Sequence, residues 1–181
     1  MENMQKRMQN HIPGVKIREA VPSDARALNQ YIRKTFTSSR HLITRAEEFR
    51  TGPFKQRLWI AKKQSSPVEI CFVAIAEKRI VGMLDNWTDR RTRVAHNTCF
   101  AMSVDEDWQR LGIGKTLLNT FIQWVKHHAS LERIELHVHS DNLGAIALYE
   151  GCGFMPEGIR KAAVRYSDGR TVDDHIMAIW P

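Results

Sequence analysis

Along the chain the apolar positions change period several times, and each change predicts an element. "VKIREA" alternates over a few residues and predicts a short strand. "VPSDARALNQYIRKTF" brings Ala, Leu and Ile at helical spacing behind Ser23 or Asp24, either of which can cap a helix. "TRAEEF" opens on Thr44 with Glu47 three residues later, the spacing of a capping box, and predicts a second short helix. From residue 58 to 104 the period shortens. "LWIAKK" reads as a brief strand. "EICFVAIAE", "RIVGMLDNW" and "VAHNTCFAMSV" read as an antiparallel meander turning at "KR" and "TDRRTR". Helical spacing returns from about Gly112 to His128, where Ile113, Leu117, Leu118, Phe121, Ile122 and Val125 share one face. "RIELHVHS" is a strand, "NLGAIALYEGC" a helix stopped by Gly151 and Gly153, and the rest two strands turning at Ser167-Asp168-Gly169. The order β-α-α-β-β-β-α-β-α-β-β predicts an α/β (α+β) fold: a mixed, mostly antiparallel sheet with helices on both faces. Residues 1–14, polar and ending in Pro13-Gly14, read as a flexible tail, leaving 15–181 as a single domain.

Composition narrows this picture. The 181 residues are 43% hydrophobic and 26% charged, enough for a full core. The net charge of +7 favours anionic partners. Nucleic acid is not the expected one, because no aromatic-basic interleaving or recognition helix accompanies Arg90-Arg91-Thr92-Arg93. Cys71, Cys99 and Cys152 are odd in number and form no CxxC pair, which argues against a zinc knuckle or a disulfide framework. Cys71 and Cys99 sit in apolar runs and read as packing residues. The eight His form no metal-ligand spacing, so no metal is expected. No apolar run has membrane-spanning length and the first residues lack a hydrophobic signal segment. A cytoplasmic protein with no membrane partner is the expectation. A homodimer is compatible with the sequence.

The chemistry concentrates in "DEDWQRLGIGKTLLNTF". Gly114-Lys115-Thr116 looks like the end of a nucleotide P-loop, but that motif needs Gly where Gln109 stands. Gly112 and Gly114 begin a dinucleotide turn, but Leu117 holds its third glycine position. Gln109-Arg110-Leu111-Gly112-Ile113-Gly114 remains, a Q-x-x-G-x-G loop. Its glycines let the backbone approach a ligand, and the helix behind adds partial positive charge. Such a loop suits a pyrophosphate, with Arg110 and Lys115 adding charge.

"SVDEDWQRLGIGKTLL", "IELHVHSDNLGAIALYEGCGF" and "EGIRKAA", in this order over residues 94–160, resemble the GNAT superfamily of acyl-CoA-dependent N-acetyltransferases. "IREAVPSD" and "DDHIM" are similar to the family's two ends. The resemblance implies a GNAT fold, in which the fourth and fifth strands splay apart to form a slot for acetyl-CoA. It implies that Met102 and Val104 offer backbone groups to the pantetheine arm. The amides of Arg110, Leu111, Gly112, Ile113, Gly114 and Lys115, after Gln109, would hold the pyrophosphate. Asn142 would bond the arm, Ala145 would line it, and Tyr149 would act as general acid. The spacing of Asn142 and Tyr149, seven residues, also puts them on one helix face. Asn142 could equally cap its helix, and Tyr149 could be a core aromatic.

The reaction implied is direct transfer from acetyl-CoA to a primary amine, with the Val104 N–H stabilising the oxyanion. The amine must be neutral to attack. Deprotonating a lysine-like amine at pH 7 costs about 4.6 kcal/mol, and an α-amine only about 1 kcal/mol. Thr98 and Phe100 stand where some relatives carry a base, and neither accepts a proton. His96, Glu135, His137 and Asp85 are the remaining candidates, with a base acting through water as the expectation. Glu135, His137 and His139 share one face of their strand. The acceptor expected is a small amine, an amino acid or a protein N-terminus. The alternative is a non-catalytic acyl-CoA-binding regulator.

Overall fold

The computed structural model describes residues 12–181. Seven strands, β1 (Val15–Glu19), β2 (Cys71–Ala76), β3 (Arg79–Thr88), β4 (Asn97–Val104), β5 (Arg133–His139), β6 (Met155–Arg165) and β7 (Thr171–Ile179), form one sheet in the order β1-β2-β3-β4-β5-β7-β6. Every neighbouring pair is antiparallel except β4 and β5. A parallel pair needs a long crossover, here the helix α3 (Ile113–Lys126). The other helices are α1 (Ala25–Ser38), α2 (Pro53–Gln64) and α4 (Leu143–Glu150).

Strand alternation divides the core in two. Phe72, Ala74, Leu84, Phe100, Ile134 and Leu136 face α3 and α4 and meet Leu117, Phe121 and Tyr149. Cys71, Val73 and Met83 point the other way and meet Leu28, Tyr31 and Ile32 of α1 and Ile60 of α2. The order and type of elements follow the sequence reading. Several details differ.

Residues 44–49, expected as a helix, are turn and irregular backbone. Thr44 caps nothing there; the Arg45 N–H donates to Glu48 Oε2 at 2.8 Å. The second helix lies at Pro53–Gln64 and takes in "LWIAKK", expected as a strand. Pro53 opens it, where a missing N–H is harmless. Its buried positions are Gln56, Ile60 and Lys63, at helical spacing but two of them polar, while Phe54 and Leu58 face outward. Hydrophobic periodicity therefore could not find it.

Asp24, expected as a cap, occupies the N-cap of α1 but turns away from it. Its carboxylate accepts from Arg18 at 2.6 and 2.8 Å and from the Val21 N–H at 2.8 Å.

The β2–β3 hairpin turns on Glu77 and Lys78, one residue earlier than "KR", with φ of 48° and 62°. Two consecutive left-handed residues match the right-handed twist of the strands. Of the expected tail, residues 1–11 lie outside the described residues. Ile12 packs against the core, and its carbonyl accepts the Val15 N–H at 3.0 Å.

Candidate functional site

β4 and β5 pair only at Asn97↔Arg133, Thr98↔Ile134 and Cys99↔Glu135. Beyond that point β4 continues on β3 alone, through Gly82↔Val104. The Asp105 N–H donates to the Val81 carbonyl at 2.9 Å, on the β3 side. Antiparallel alternation then turns the backbone groups of Phe100, Met102 and Val104 toward the gap. There the Val104 carbonyl accepts from Gln109 Nε2 at 3.1 Å. The sheet splays where the resemblance implied, and the edges bound a groove of about 1360 Å³. This exceeds the usual small-molecule site and suits a long ligand.

One wall of the groove is the glycine loop. Gly112 has φ 83° and is the N-cap of α3; Arg110, at φ 60°, is left-handed without being glycine. These two turns aim the loop's amides outward. The first bond into the helix is Thr116 N–H to the Gly112 carbonyl at 3.0 Å. Among the described residues, the N–H groups of residues 110–115 find no protein acceptor. Six consecutive free donors at a helix N-terminus suit an anion. Gly114 sits between α4 and β4, where a Cβ would make only ordinary contacts, with Leu148 Cδ2 at 3.4 Å and Met102 Cε at 3.7 Å. Arg110 and Lys115 line the groove with exposed side chains. Leu111 lies exposed and Ile113 in the core, so these two bring backbone amides only.

The opposite wall is α4. Asn142 is its N-cap, Oδ1 accepting the Ala145 N–H at 3.3 Å. Its Nδ2 bonds no described residue and borders the groove. One side chain thus caps the helix and keeps a donor free. Ala145 and Tyr149 border the same groove. Tyr149 packs edge-on to Phe100 at 5.9 Å and against Phe154 at 5.9 Å. Burial pushes its phenol up to about 12, so it carries a proton at neutral pH.

The candidate bases separate by position. Thr98 is fully buried and bonds Asn86 at 2.8 Å and Thr88 at 2.9 Å, a role in the sheet. Phe100 is core. His96 stacks on Trp180 at 6.3 Å, away from the groove. Asp85 lies outside the groove, 3.5 Å from Lys63 Nζ. Burial pushes Glu135 up, but Arg133 at 2.7 Å and His137 more than offset it, and the carboxyl lies below its ordinary value. His137 alone of the four borders the groove. Its Nδ1 is 2.8 Å from Oδ2 of the buried Asp174, which Arg160 also reaches at 3.2 Å. Its Nε2 lies 3.5 Å from Oε1 of Glu135, so an Nδ1–H given to Asp174 leaves the Nε2 lone pair beside that carboxylate.

Cys99, expected as packing, is half-buried and borders the groove as well. Burial, with Glu135 nearby, pushes its thiol up to about 11, so it stays protonated and a poor nucleophile.

At the far end, His41, His139 and Asp141 bring possible ligand atoms within 4.8 Å of one another. The Tyr166 hydroxyl already binds all three, at 3.3, 3.0 and 2.9 Å. Arg170 and Arg40 stand 3.4 and 3.9 Å from Asp141 Oδ2 and oppose a cation. The cluster is a latch joining the α1–α2 loop, the end of β5 and the β6–β7 hairpin. No described helix is long and apolar enough to cross a membrane.

Comparison with known proteins agrees with this geometry. Residues 27–154 match the acetyltransferase (GNAT) family. The L-amino acid N-acetyltransferase AaaT of Escherichia coli is 32% identical over 122 residues, 67% of this chain and 74% of that protein. A GNAT-family acetyltransferase from Streptococcus pneumoniae superposes with a TM-score of 0.90 at 24% identity, over 92% of this chain and 99% of that one. The putative acetyltransferase yncA from Salmonella typhimurium, solved with its cofactor acetyl-CoA, gives 0.81 at 16% identity, over 92% and 94%. The free amides suit a pyrophosphate, the unpaired strand edge suits an amide-bearing arm, and the family match spans most of the chain: this protein belongs to the GNAT acetyltransferase family and is an N-acetyltransferase that uses acetyl-CoA.

Proposed function

We propose that the acceptor is an α-amine, of a free amino acid or a protein N-terminus, and that His137 and Tyr149 are the base and acid. The observation that carries this is convergence: free-amide loop, open strand edge, imidazole and neutral phenol all border one groove. In this reading residues 110–115 hold the pyrophosphate, Met102 and Val104 pair with the pantetheine arm, Asn142 Nδ2 donates to it and Ala145 lines it. Acetyl-CoA supplies the activated acetyl thioester.

His137 Nε2, directly or through one water, takes the proton that the attacking amine loses as its C–N bond forms. Asp174 fixes the ring and stabilises the imidazolium. A free N–H on the open edge of β4 faces the developing oxyanion, and Met102, nearer than Val104 to the Phe100 on which Tyr149 packs, is the one placed for it. Tyr149 gives its proton to the departing sulfur and regains one from solvent. A protonated Cys99 is a poor nucleophile, which supports direct transfer. The free cysteines suit a reducing, cytoplasmic location.

An α-amine asks least of this base, because its deprotonation costs about 1 kcal/mol against about 4.6 for a lysine-like amine. The name of the E. coli relative, an L-amino acid N-acetyltransferase, supports the same choice. Thiol release at pH 7 should show kcat/KM roughly a hundredfold higher for amino-acid amides than for polyamines. Equal or reversed preference rejects the α-amine. His137→Gln should lower kcat roughly 10²- to 10⁴-fold while CoA binding persists; an unchanged kcat removes His137 as base.

A further inference from the structure

A second cavity, of about 420 Å³, lies on the other face of the sheet between β3, β4, α1 and α2. It meets the groove at Thr35, Phe36 and Leu42 and along Ala101–Ser103 of β4. Ala101 is exposed in mid-strand, so no described residue fills the junction. The walls are Ile32, Phe36, Leu42, Phe49, Trp59 and Met83. Phe36 and Phe49 stand edge-to-face at 5.3 Å. We infer that this cavity seats the acceptor's side chain, and that the enzyme selects α-amines carrying a large apolar side chain. The inference rests on the α-amine reading above.

Three observations carry it. First, the cavity opens at the strand residues that border the gap, so an amine at the junction projects its side chain inward. Its volume is that of a small-molecule site and too small for a folded partner. Second, Gln56 is only 3% exposed and lines the cavity, yet its side-chain amide has no hydrogen-bond partner among the described residues. That amide is not a fully buried group, and it stays available to a neutral polar atom of an occupant. Third, the charges present argue against a cationic side chain. Asp85, the one carboxylate among the described residues of the lining, is paired with Lys63 at 3.5 Å, and Lys55 stands at the rim. Lys63 is held further by Glu69 at 3.4 Å and by the Asn86 carbonyl.

The test is a side-chain series of amino-acid amides in the thiol-release assay: glycine, alanine, leucine, methionine, phenylalanine and lysine. Burying one large apolar side chain should raise kcat/KM roughly 10- to 100-fold from glycinamide to phenylalaninamide. Phe49→Ala, in a segment outside helix and strand, should remove about tenfold of that advantage and leave glycinamide within roughly threefold. Trp59→Ala is the second variant and should act alike. A flat series, a preference for lysinamide, or equal losses for all acceptors would overturn the inference. If every amine is inert, calorimetry on the CoA-loaded protein decides. Tighter binding of phenylalaninamide than glycinamide, reduced by Phe49→Ala, supports the cavity while removing the transfer reading. Equal or absent binding overturns the cavity.

Discussion

Replacing Gly112 by alanine tests the anion cradle. Gly112 sits at φ 83°, and a Cβ there has space, since its nearest neighbour would be Ile12 Cδ1 at 3.8 Å. The penalty is therefore conformational: a left-handed L-residue costs roughly 1–2 kcal/mol. For a chain of this size that lowers Tm by about 2–8 °C. The loop relieves the strain by rotating toward negative φ, which swings the adjoining N–H groups off their common aim. Each charge-assisted bond lost to a phosphate is worth roughly 1.5–3 kcal/mol, so losing one weakens CoA about 10- to 150-fold. Calorimetry with two ligands isolates the effect: CoA, and an acetylated pantetheine without the pyrophosphate. The expected outcome is a large loss for CoA and less than about threefold for the pantetheine thioester. Equal losses would mean that the loop does not hold phosphate. No loss for either would refute the role of the free amides.

The other predictions concern single groups. Tyr149→Phe keeps the ring packed on Phe100 and Phe154 and removes a hydroxyl that bonds no described residue, so Tm should stay within about 2 °C while kcat falls roughly 10²- to 10⁴-fold; an unchanged kcat removes Tyr149 as acid. Burial pushes the Asp85 carboxyl up to about 6 despite Lys63. A carboxyl raised on folding binds its proton more tightly in the folded chain, so its unfavourable contribution is absent below about pH 4 and complete above about pH 6. Asp85→Asn should therefore raise Tm at pH 7.5 and lose that advantage by about pH 4.5; an advantage independent of pH contradicts the assignment. Lys78→Gly relieves one left-handed residue of the β2–β3 turn and should add about 1 kcal/mol to unfolding in denaturant, with no change in turnover.

The sequence disclosed the site where chemistry dictates residue type. Gly112 must be glycine-like because of its φ, and the run 109–115 announces free amides before a helix. Asn142 and Tyr149 show their common wall by spacing alone. The acceptor side was hidden. The inward face of α2 is Gln56, Ile60 and Lys63, so its period carries no apolar signal, and Phe54 and Leu58 mark the wrong face. The cavity that α2 walls is lined by residues far apart in the chain, among them Phe36, Phe49, Trp59 and Met83. His137 stood among four equal candidates until the splay put it, and not His96, Glu135 or Asp85, on the groove. Thr98 read as a missing base; it is a buried strut bonded to Asn86 and Thr88.

The measurement that bears most directly on the central claim is a single turnover with acetyl-labelled acetyl-CoA and enzyme in excess, quenched over time with and without phenylalaninamide. Direct transfer in the groove predicts that label passes from thioester to amine in one phase, only when amine is present, and never resides on protein. Label retained on the protein, at Cys99 or elsewhere, or label lost to acetate at the same rate without amine, would contradict the account.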